Sequence, residues 1–386
     1  MMKKLPFLLL LFSITSPLFG QEQPIIDWMT TTGFENVQCL RKNDTLYIGY
    51  ENRVFRYEVA ALKEIVSNLP INDQVKALVL FPKYQNIPIV QITLPLPLSK
   101  EHASFSFEHN LWKSSGVHAA ETINKSYLKA DISIGPYIYA TQIGNYDDAI
   151  KIELDAAPTM HLQLTKGLKF TGQLLVPVIN NYSEDGIRPG VITLEQSVRL
   201  PWNVFATASI GHYNPRRYGA RLNAVKFTKD GMFGLGTTLG YTQLSNISGE
   251  PLSEFYEDYP AIIARVNGSF RWLEQDLIIN ASYGTFLYED LGYKVEAVRQ
   301  FGEAQIGVHA IKTSLISNAG FSLLLPIPTK KYRPIKHVRL RTERYLKYQY
   351  RFRGQTFGGK ELQANYDLIN KLTELQPAFL YNKLFE

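Results

Sequence analysis

The stretch IIARVNGSFRW, residues 262–272, decides the fold class. Ile262, Ala264 and Val266 fall on one side of an extended chain, whereas Arg265 and Asn267 fall on the other. Because successive side chains of a strand point to opposite faces, this alternation predicts a β-strand with one apolar and one polar face. A run of about ten residues with this period has the length that a tilted membrane-crossing strand needs.

The same alternation recurs through most of residues 129–355. The segments that show it are 150–156, 170–176, 192–200, 204–212, 218–227, 233–241, 277–287, 293–298, 304–310, 319–325 and 346–352. Strands of soluble sandwiches also alternate, but they average about 5–6 residues. Aromatic residues cluster at the predicted strand ends, as in a membrane girdle. We therefore predict a mainly β protein whose residues 129–355 form an antiparallel transmembrane β-barrel of roughly 12–14 strands. Residues 336–353 form either one long strand or two.

The first residues predict export. Lys3 and Lys4 precede an apolar stretch at residues 5–12, and a candidate cleavage zone ends at Gly20. This is the layout of a secretory signal peptide over residues 1–20. Mean hydropathy is −0.14, and no later segment has the roughly 18 uninterrupted apolar residues of a spanning helix. The expected location is therefore the outer membrane of a Gram-negative type cell envelope.

Three further segments lie outside the predicted barrel. Residues 21–98 predict a small periplasmic α/β domain of order β-β-α-β-β, with an amphipathic helix at 57–69 and a core of its own. Residues 99–128 predict a linker and the entry to the barrel, and residues 356–386 predict a helical tail. The single cysteine, Cys39, excludes an internal disulfide framework.

The polar sides of the predicted strands supply the candidate binding residues. In a barrel they line the lumen, where Arg and Asn side chains can hydrogen-bond sugar hydroxyls and acidic groups. These candidates are Arg221, Asn223, Arg265, Asn267, Arg271, Asn280, Lys294 and Glu296. The formal net charge of +6 is too small to argue for nucleic acid as a partner.

Motifs of known catalytic sites are not found in the sequence. It has no Gly-x-Ser-x-Gly elbow, no His-Glu-x-x-His and no glycine-rich phosphate loop, and residues such as His161 and His309 are scattered. We therefore predict that the protein is not an enzyme and that it needs no cofactor and no metal.

Connection lengths give the predicted barrel an orientation. Short turns at residues 229–231, 274–275 and 301–303 alternate with longer polar connections at 180–189 and 243–259. This pattern is typical of periplasmic turns and external loops. One short turn carries Arg299, Phe301, Gly302 and Glu303. Gly302 suits a backbone with positive φ, and this turn motif is either a well-formed turn or a docking site for a partner.

Residues 292–303, GYKVEAVRQFGE, and 318–328, NAGFSLLLPIP, resemble the YjbH-type family of exopolysaccharide-associated outer-membrane proteins. Residues 33–37 and 44–48 are similar to the small domain that precedes the barrel in such proteins. The resemblance implies a role in exopolysaccharide or capsule secretion or assembly, as a pore or a scaffold. It implies outer-membrane lipid, polysaccharide and other export proteins as partners. The chain departs from the family in lacking a cysteine for lipid anchoring and in being too short for its two-barrel form.

Two alternatives stay open at the level of sequence. One is a general porin for small anionic solutes, since a cationic lumen suits them nearly as well. The other is an outer-membrane barrel hydrolase, in which the fold brings a Ser or Asp close to one of the histidines.

Overall fold

The computed structural model describes residues 22–143, 150–180, 186–214, 216–245, 261–333, 337–351, 358–363 and 367–386. The predicted signal peptide lies outside these ranges, as does most of the long connection predicted at residues 243–259. No helix within the described ranges is long and apolar enough to cross a membrane.

The N-terminal residues form a small α/β unit around a mixed sheet. Its elements are α1 (Gln23–Thr32), β1 (Glu35–Lys42), β2 (Thr45–Glu51), α2 (Glu58–Asn68), β3 (Ala77–Tyr84), β4 (Ile87–Pro88), β5 (Gln91–Pro95), β6 (Ser104–Ser106) and α3 (Asn110–Ser114). The strand order is β1-β2-β3-β5-β6, with β4 paired to β3. The parallel pair β2 and β3 is joined through α2, because parallel neighbours need a crossover. The sequence predicts a linker over residues 99–128, whereas β6 and α3 lie there and β6 extends this sheet.

Local sequence explains helices α1 and α2. Helix α1 ends at Gly33, whose φ of 103° is a left-handed conformation that glycine adopts without strain. Helix α2 buries Val59, Leu62 and Ile65 on one face.

The rest of the chain forms a larger sheet, with fourteen strands in the part of the chain that the structure describes. They are β7 (Ala130–Ile143), β8 (Ile150–Thr165), β9 (Leu168–Asn180), β10 (Arg188–Leu200), β11 (Val204–Tyr213), β12 (Arg217–Phe227), β13 (Phe233–Leu244), β14 (Ala261–Trp272), β15 (Leu277–Thr285), β16 (Leu291–Phe301), β17 (Ala304–Thr313), β18 (Ser317–Pro326), β19 (Val338–Thr342) and β20 (Tyr345–Arg351). From β7 to β18 each strand pairs antiparallel with the next. The prediction of a mainly β protein with a large antiparallel sheet is confirmed.

The two edge strands of the large sheet are consecutive pieces of one chain segment. β19 pairs parallel with β7, and β20 pairs antiparallel with β18. Between them, the Glu343 amide donates to the Ile134 carbonyl (3.0 Å) and the Arg344 carbonyl accepts from the Ile327 amide (3.1 Å). Neighbouring residues of this segment therefore bond to β7 and to Ile327, the residue that follows β18.

The large sheet exposes its apolar face and encloses its polar face. Ile262 and Val266 are each 56% exposed, while Arg271 on the same strand is 3% exposed. Enclosed polar residues occur on many of the strands, including Asp131, Ser133, Asp155, Thr159, Thr171, Glu195, Ser197, Thr207, Ser209, Asn223, Thr238 and Thr242. This arrangement is the reverse of a water-soluble protein, whose charged residues lie mostly outside.

The N-terminal unit covers one end of the large sheet, which we term the near end. There the Gly167 amide donates to the Gln85 carbonyl (3.0 Å), and the Phe107 amide donates to the Lys229 carbonyl (2.8 Å). The turns β12–β13, β14–β15 and β16–β17, which include the three predicted short turns, all lie at this end. The connections β9–β10 and β13–β14, which the sequence predicts to be long, begin at the opposite, far end.

Two C-terminal helices, α4 (Leu368–Glu374) and α5 (Pro377–Phe385), lie where the sequence predicts a helical tail. Leu372 and Phe379 belong to the same hydrophobic core as Leu62 of the N-terminal unit and Phe205 and Phe227 of the large sheet. The sequence predicts a separate core for residues 24–98, whereas the observed core also takes in the tail and the near end of the sheet.

Candidate functional site

A cavity of about 840 Å³ lies between the polar face of the large sheet, the N-terminal unit and the C-terminal residues. Among the described residues that line it, eleven are Lys or Arg and seven are Asp or Glu. The excess of cations makes the cavity attractive to anions, because low-dielectric walls strengthen the field of charges that line a cleft.

All eight predicted lumen residues lie on strands of the large sheet, at positions of the polar face. Arg221 and Asn223 are on β12, Asn280 on β15, Lys294 and Glu296 on β16, and Arg265, Asn267 and Arg271 on β14. Of these, Arg221, Asn280, Lys294 and Glu296 line the cavity.

Several of the polar candidates bind to neighbours in the sheet. Arg221 Nε donates to Asn223 Oδ1 (3.2 Å), and Asn267 Nδ2 donates to Thr238 Oγ1 (3.0 Å). The Glu296 carboxylate accepts a 3.4 Å hydrogen bond from the Ser322 hydroxyl.

Three strand cations meet carboxylates of the C-terminal segment, which the sequence does not single out. Arg265 and Lys294 bind separate oxygens of Glu361, with a Lys294 Nζ–Oε2 distance of 2.6 Å. Arg221 lies 3.9 Å from Asp367. Burial alone would raise the pKa of the Glu361 carboxyl, but Lys294 and Arg265 hold that pKa well below its usual range. Glu361 is therefore ionised while it lies in the cavity.

The C-terminal segment begins at the far end of the large sheet. The Gly359 amide donates to Asp290 Oδ2 (2.7 Å), and the Leu287 amide donates to the Lys360 carbonyl (3.0 Å). Asp290 and Leu287 both belong to the β15–β16 connection, which lies at that end.

The same segment finishes at the near end. Arg271 donates to the Thr373 carbonyl (3.0 Å), and its guanidinium lies 4.1 Å from the centre of the Phe379 ring. Lys371 Nζ lies 2.7 Å from Glu58 of the N-terminal unit. Burial alone would lower the pKa of Lys371, but Glu374 and Glu58 raise it above its usual value. The tail thus crosses the whole polar face and is fastened at the near end by an ion pair and the shared core.

The predicted turn motif contacts the N-terminal unit of its own chain. Gly302 has a φ of 61°, as a tight turn requires, and the Arg299 guanidinium lies 5.3 Å from the centre of the Phe301 ring. Arg56 Nε donates to Glu303 Oε2 (2.5 Å). Arg56 also donates to the Ile327 carbonyl. Residues 292–303 and 318–328 therefore converge on one arginine.

Ion pairs also join the N-terminal unit to β7 and β19, two neighbouring strands of the large sheet. Arg53 lies 2.7 Å from Glu51 and 3.2 Å from Asp131 of β7. Arg339 of β19 binds both Asp131 and Glu35. Because these charges are largely enclosed, loss of one partner would leave another uncompensated, which would destabilise this junction.

Groups that could support catalysis or metal binding are sparse in the described part of the chain. His161 Nδ1 lies 3.0 Å from the Thr171 hydroxyl on the cavity side. No group of three or more His, Cys, Asp or Glu side chains is placed to hold a metal ion within the described ranges.

Comparison with protein-family models gave no match, and comparison with curated proteins gave none either.

Proposed function

We propose that this chain is an outer-membrane β-barrel that takes part in exopolysaccharide secretion or assembly, with its N-terminal unit in the periplasm. The observation that carries the membrane part is the reversed polarity of the large sheet. A soluble protein would expose residues such as Arg271 and enclose residues such as Val266, whereas here the opposite holds. Lipid is the solvent in which such an outer surface is stable.

The edge strands support closure of the large sheet into a barrel. Every unpaired edge costs hydrogen bonds in lipid, so sheets that cross a membrane close on themselves. The segment that holds β19 and β20 bonds to β7 through Glu343 and pairs with β18 through Tyr345, and Arg344 bonds to Ile327 directly after β18. A split strand of this kind would give β7 and β18 partners from one chain segment, as closure requires.

The cavity supports an acidic polymer as the partner. Its cationic excess attracts carboxylates, and its amides, hydroxyls and tyrosines can bind sugars. The resemblance to the YjbH-type family supplies the choice of polysaccharide export, together with other export proteins as partners. The proposed role is that of a pore or scaffold, and no catalytic step is assigned to it.

A porin for small anions is the second candidate, since the same cations suit it. The C-terminal segment argues against a permanently open channel, because its Glu361 and Asp367 form ion pairs with cations of the polar face. An open porin needs an unobstructed path, whereas an export component can hold its path closed until polymer arrives.

The test is a deletion strain scored for surface and released polysaccharide and for uptake of small anions. We expect loss of polymer, restored by the wild-type gene. Arg341→Gln should restore it only partly, because Arg341 lines the cavity and its Nε and Nη1 have no hydrogen-bond partner among the described residues. Lys226→Gln, a change of the same type at an exposed position of β12, is the matched control and should restore it fully. Unchanged polymer output with reduced anion uptake would replace this proposal with the porin.

A further inference from the structure

We propose that Arg265 and Lys294 form a carboxylate-binding site for an acidic polysaccharide, and that Glu361 of the tail is its internal occupant. The tail residues 358–363 then act as a displaceable strap, which the polymer's own carboxylates replace. This inference rests on the proposed function and specifies the ligand and the regulation of the same cavity.

The geometry is that of a built anion site. Arg265 and Lys294 lie on β14 and β16, the two neighbours of β15, and both side chains reach the polar face. Each cation takes one oxygen of the Glu361 carboxylate. The Arg265 guanidinium also lies 4.8 Å from the centre of the Phe286 ring, which holds its plane in place.

The site has hydrogen-bonding atoms that a ligand could use. The Arg265 Nε is enclosed and has no hydrogen-bond partner among the described residues, and the same holds for His309 Nδ1 nearby. Arg351 of β20 adds further positive charge beside Glu361. Removal of Glu361 would take the ion-pair partner from Arg265 and Lys294, so a second carboxylate would stabilise these two cations when the strap leaves.

The tail has two parts that are fastened differently. Residues 358–363 meet the sheet through polar contacts, such as the 2.8 Å bond from the Gln363 amide to the Asn214 carbonyl and the 2.6 Å bond from the Tyr137 hydroxyl to Gln363 Oε1. Leu362 adds one apolar contact, with a small cluster that contains Ile263 and Leu287. Sugars can replace the polar contacts. Residues 368–380 instead place Leu368, Leu372 and Phe379 in the shared core. The strap can therefore leave the cations while α4 and α5 keep the tail attached.

The experiment measures binding of hexagalacturonate, a carboxylate-bearing oligosaccharide, to the full mature chain in detergent micelles by calorimetry. Maltohexaose is the neutral probe of equal length. Glu361→Gln removes the competing charge but keeps the shape of the side chain. We expect it to tighten hexagalacturonate binding by about tenfold or more and to leave maltohexaose unchanged, since one competing contact of about 1.4 kcal/mol corresponds to a tenfold change. Adding Arg265→Gln and Lys294→Gln should abolish the gain.

Glu386→Gln, at an exposed position near the end of the same tail, is the control and should match the wild type. If Glu361→Gln does not fold, Glu361→Asp keeps the charge but shortens its reach and should also tighten binding. Unchanged affinity in a folded Glu361 variant would overturn the inference, as would an equal gain for maltohexaose. Loss of polymer in the deletion strain would then still stand, so the failure of this site and the failure of the proposed function are distinguishable.

Discussion

Replacing Val266 by arginine tests the outer face of the large sheet most directly. Val266 is the sixth residue of β14, a strand of twelve residues, which span about 40 Å along the strand and about 30 Å across a membrane at the usual tilt. Its neighbours across the two strand pairs are Thr237 and Tyr283. Val266 therefore lies close to the expected midplane, where an arginine costs about 2–4 kcal/mol.

The matched variant is Asn267→Arg, one residue along on the polar face. It loses the hydrogen bond to Thr238, so we expect a cost of about 1 kcal/mol. Val266→Leu, which adds volume without charge, should be nearly neutral.

The assay is urea-dependent folding into lipid vesicles, followed by tryptophan fluorescence and by gel mobility with and without heating. A difference of about 3 kcal/mol changes the folding equilibrium by roughly a hundredfold, well within the range of such titrations. Equal damage from Val266→Arg and Asn267→Arg would refute the assignment of faces. Greater damage from Asn267→Arg would show that the apolar face does not contact lipid.

Three further changes probe the N-terminal unit and the tail. Leu372→Ala removes most of a side chain that has no exposed surface. We expect the unfolding free energy of the shared core, measured by denaturant-dependent proteolysis, to fall by about 2–5 kcal/mol. An unchanged unfolding free energy would contradict the docking of the tail. Arg56→Gln breaks the contact with Glu303, so amide hydrogen exchange should speed up at residues 302–332. Unchanged exchange would mean that the contact between these residues and the N-terminal unit does not depend on this pair. Burial lowers the pKa of Lys83 from 10.5 to about 7, despite the opposing charge of Glu51. The unfolded chain then keeps the Lys83 proton at higher pH than the folded chain does. The stability of the protein relative to Lys83→Met should therefore rise from pH 7 to pH 10.5 and be lowest below pH 7. Thermal unfolding of both proteins across that range checks this prediction, and a difference that does not change with pH would mean that Lys83 titrates normally.

The strands could be predicted because their pattern is local. In β14, successive side chains point to opposite faces of the sheet. The surroundings of each face therefore determine which residue types occur at every second position. The prediction of a strand at 277–287 matches β15 at its first residue for the same reason, and the strand ends at Thr285. Other strands are longer than predicted, as with β8, where Pro158 interrupts the apparent pattern after residue 156 without ending the strand.

Features that depend on distant partners could not be predicted in the same way. β19 is a strand because it bonds to β7, about two hundred residues earlier, and the pairing is parallel. Pro95 and Pro97 just before residues 99–128, and His102 and His109 within them, suggest a linker. Yet β6 is completed by β5 and by the tail helix α5, through the contact of Phe105 with Tyr381. In both cases the local sequence is compatible with several structures, and tertiary contacts decide among them.

The position of the tail has a physical reason, the need to balance enclosed positive charge, and part of that reason can be read from the sequence. Arg265 and Lys294 are predicted to face an enclosed lumen, and enclosed cations need anions or water to offset their desolvation. On β16, Glu296 is a candidate, but it accepts from Ser322 instead. The compensating carboxylate comes from Glu361, which lies 96 residues after Arg265 and 67 after Lys294. Residues so far apart in the sequence show no periodic pattern. Only the unbalanced positive charge of the predicted lumen therefore indicates that an anion must enter the lumen. Glu361 supplies that anion within the chain, and the carboxylate of a bound polymer would meet the same requirement.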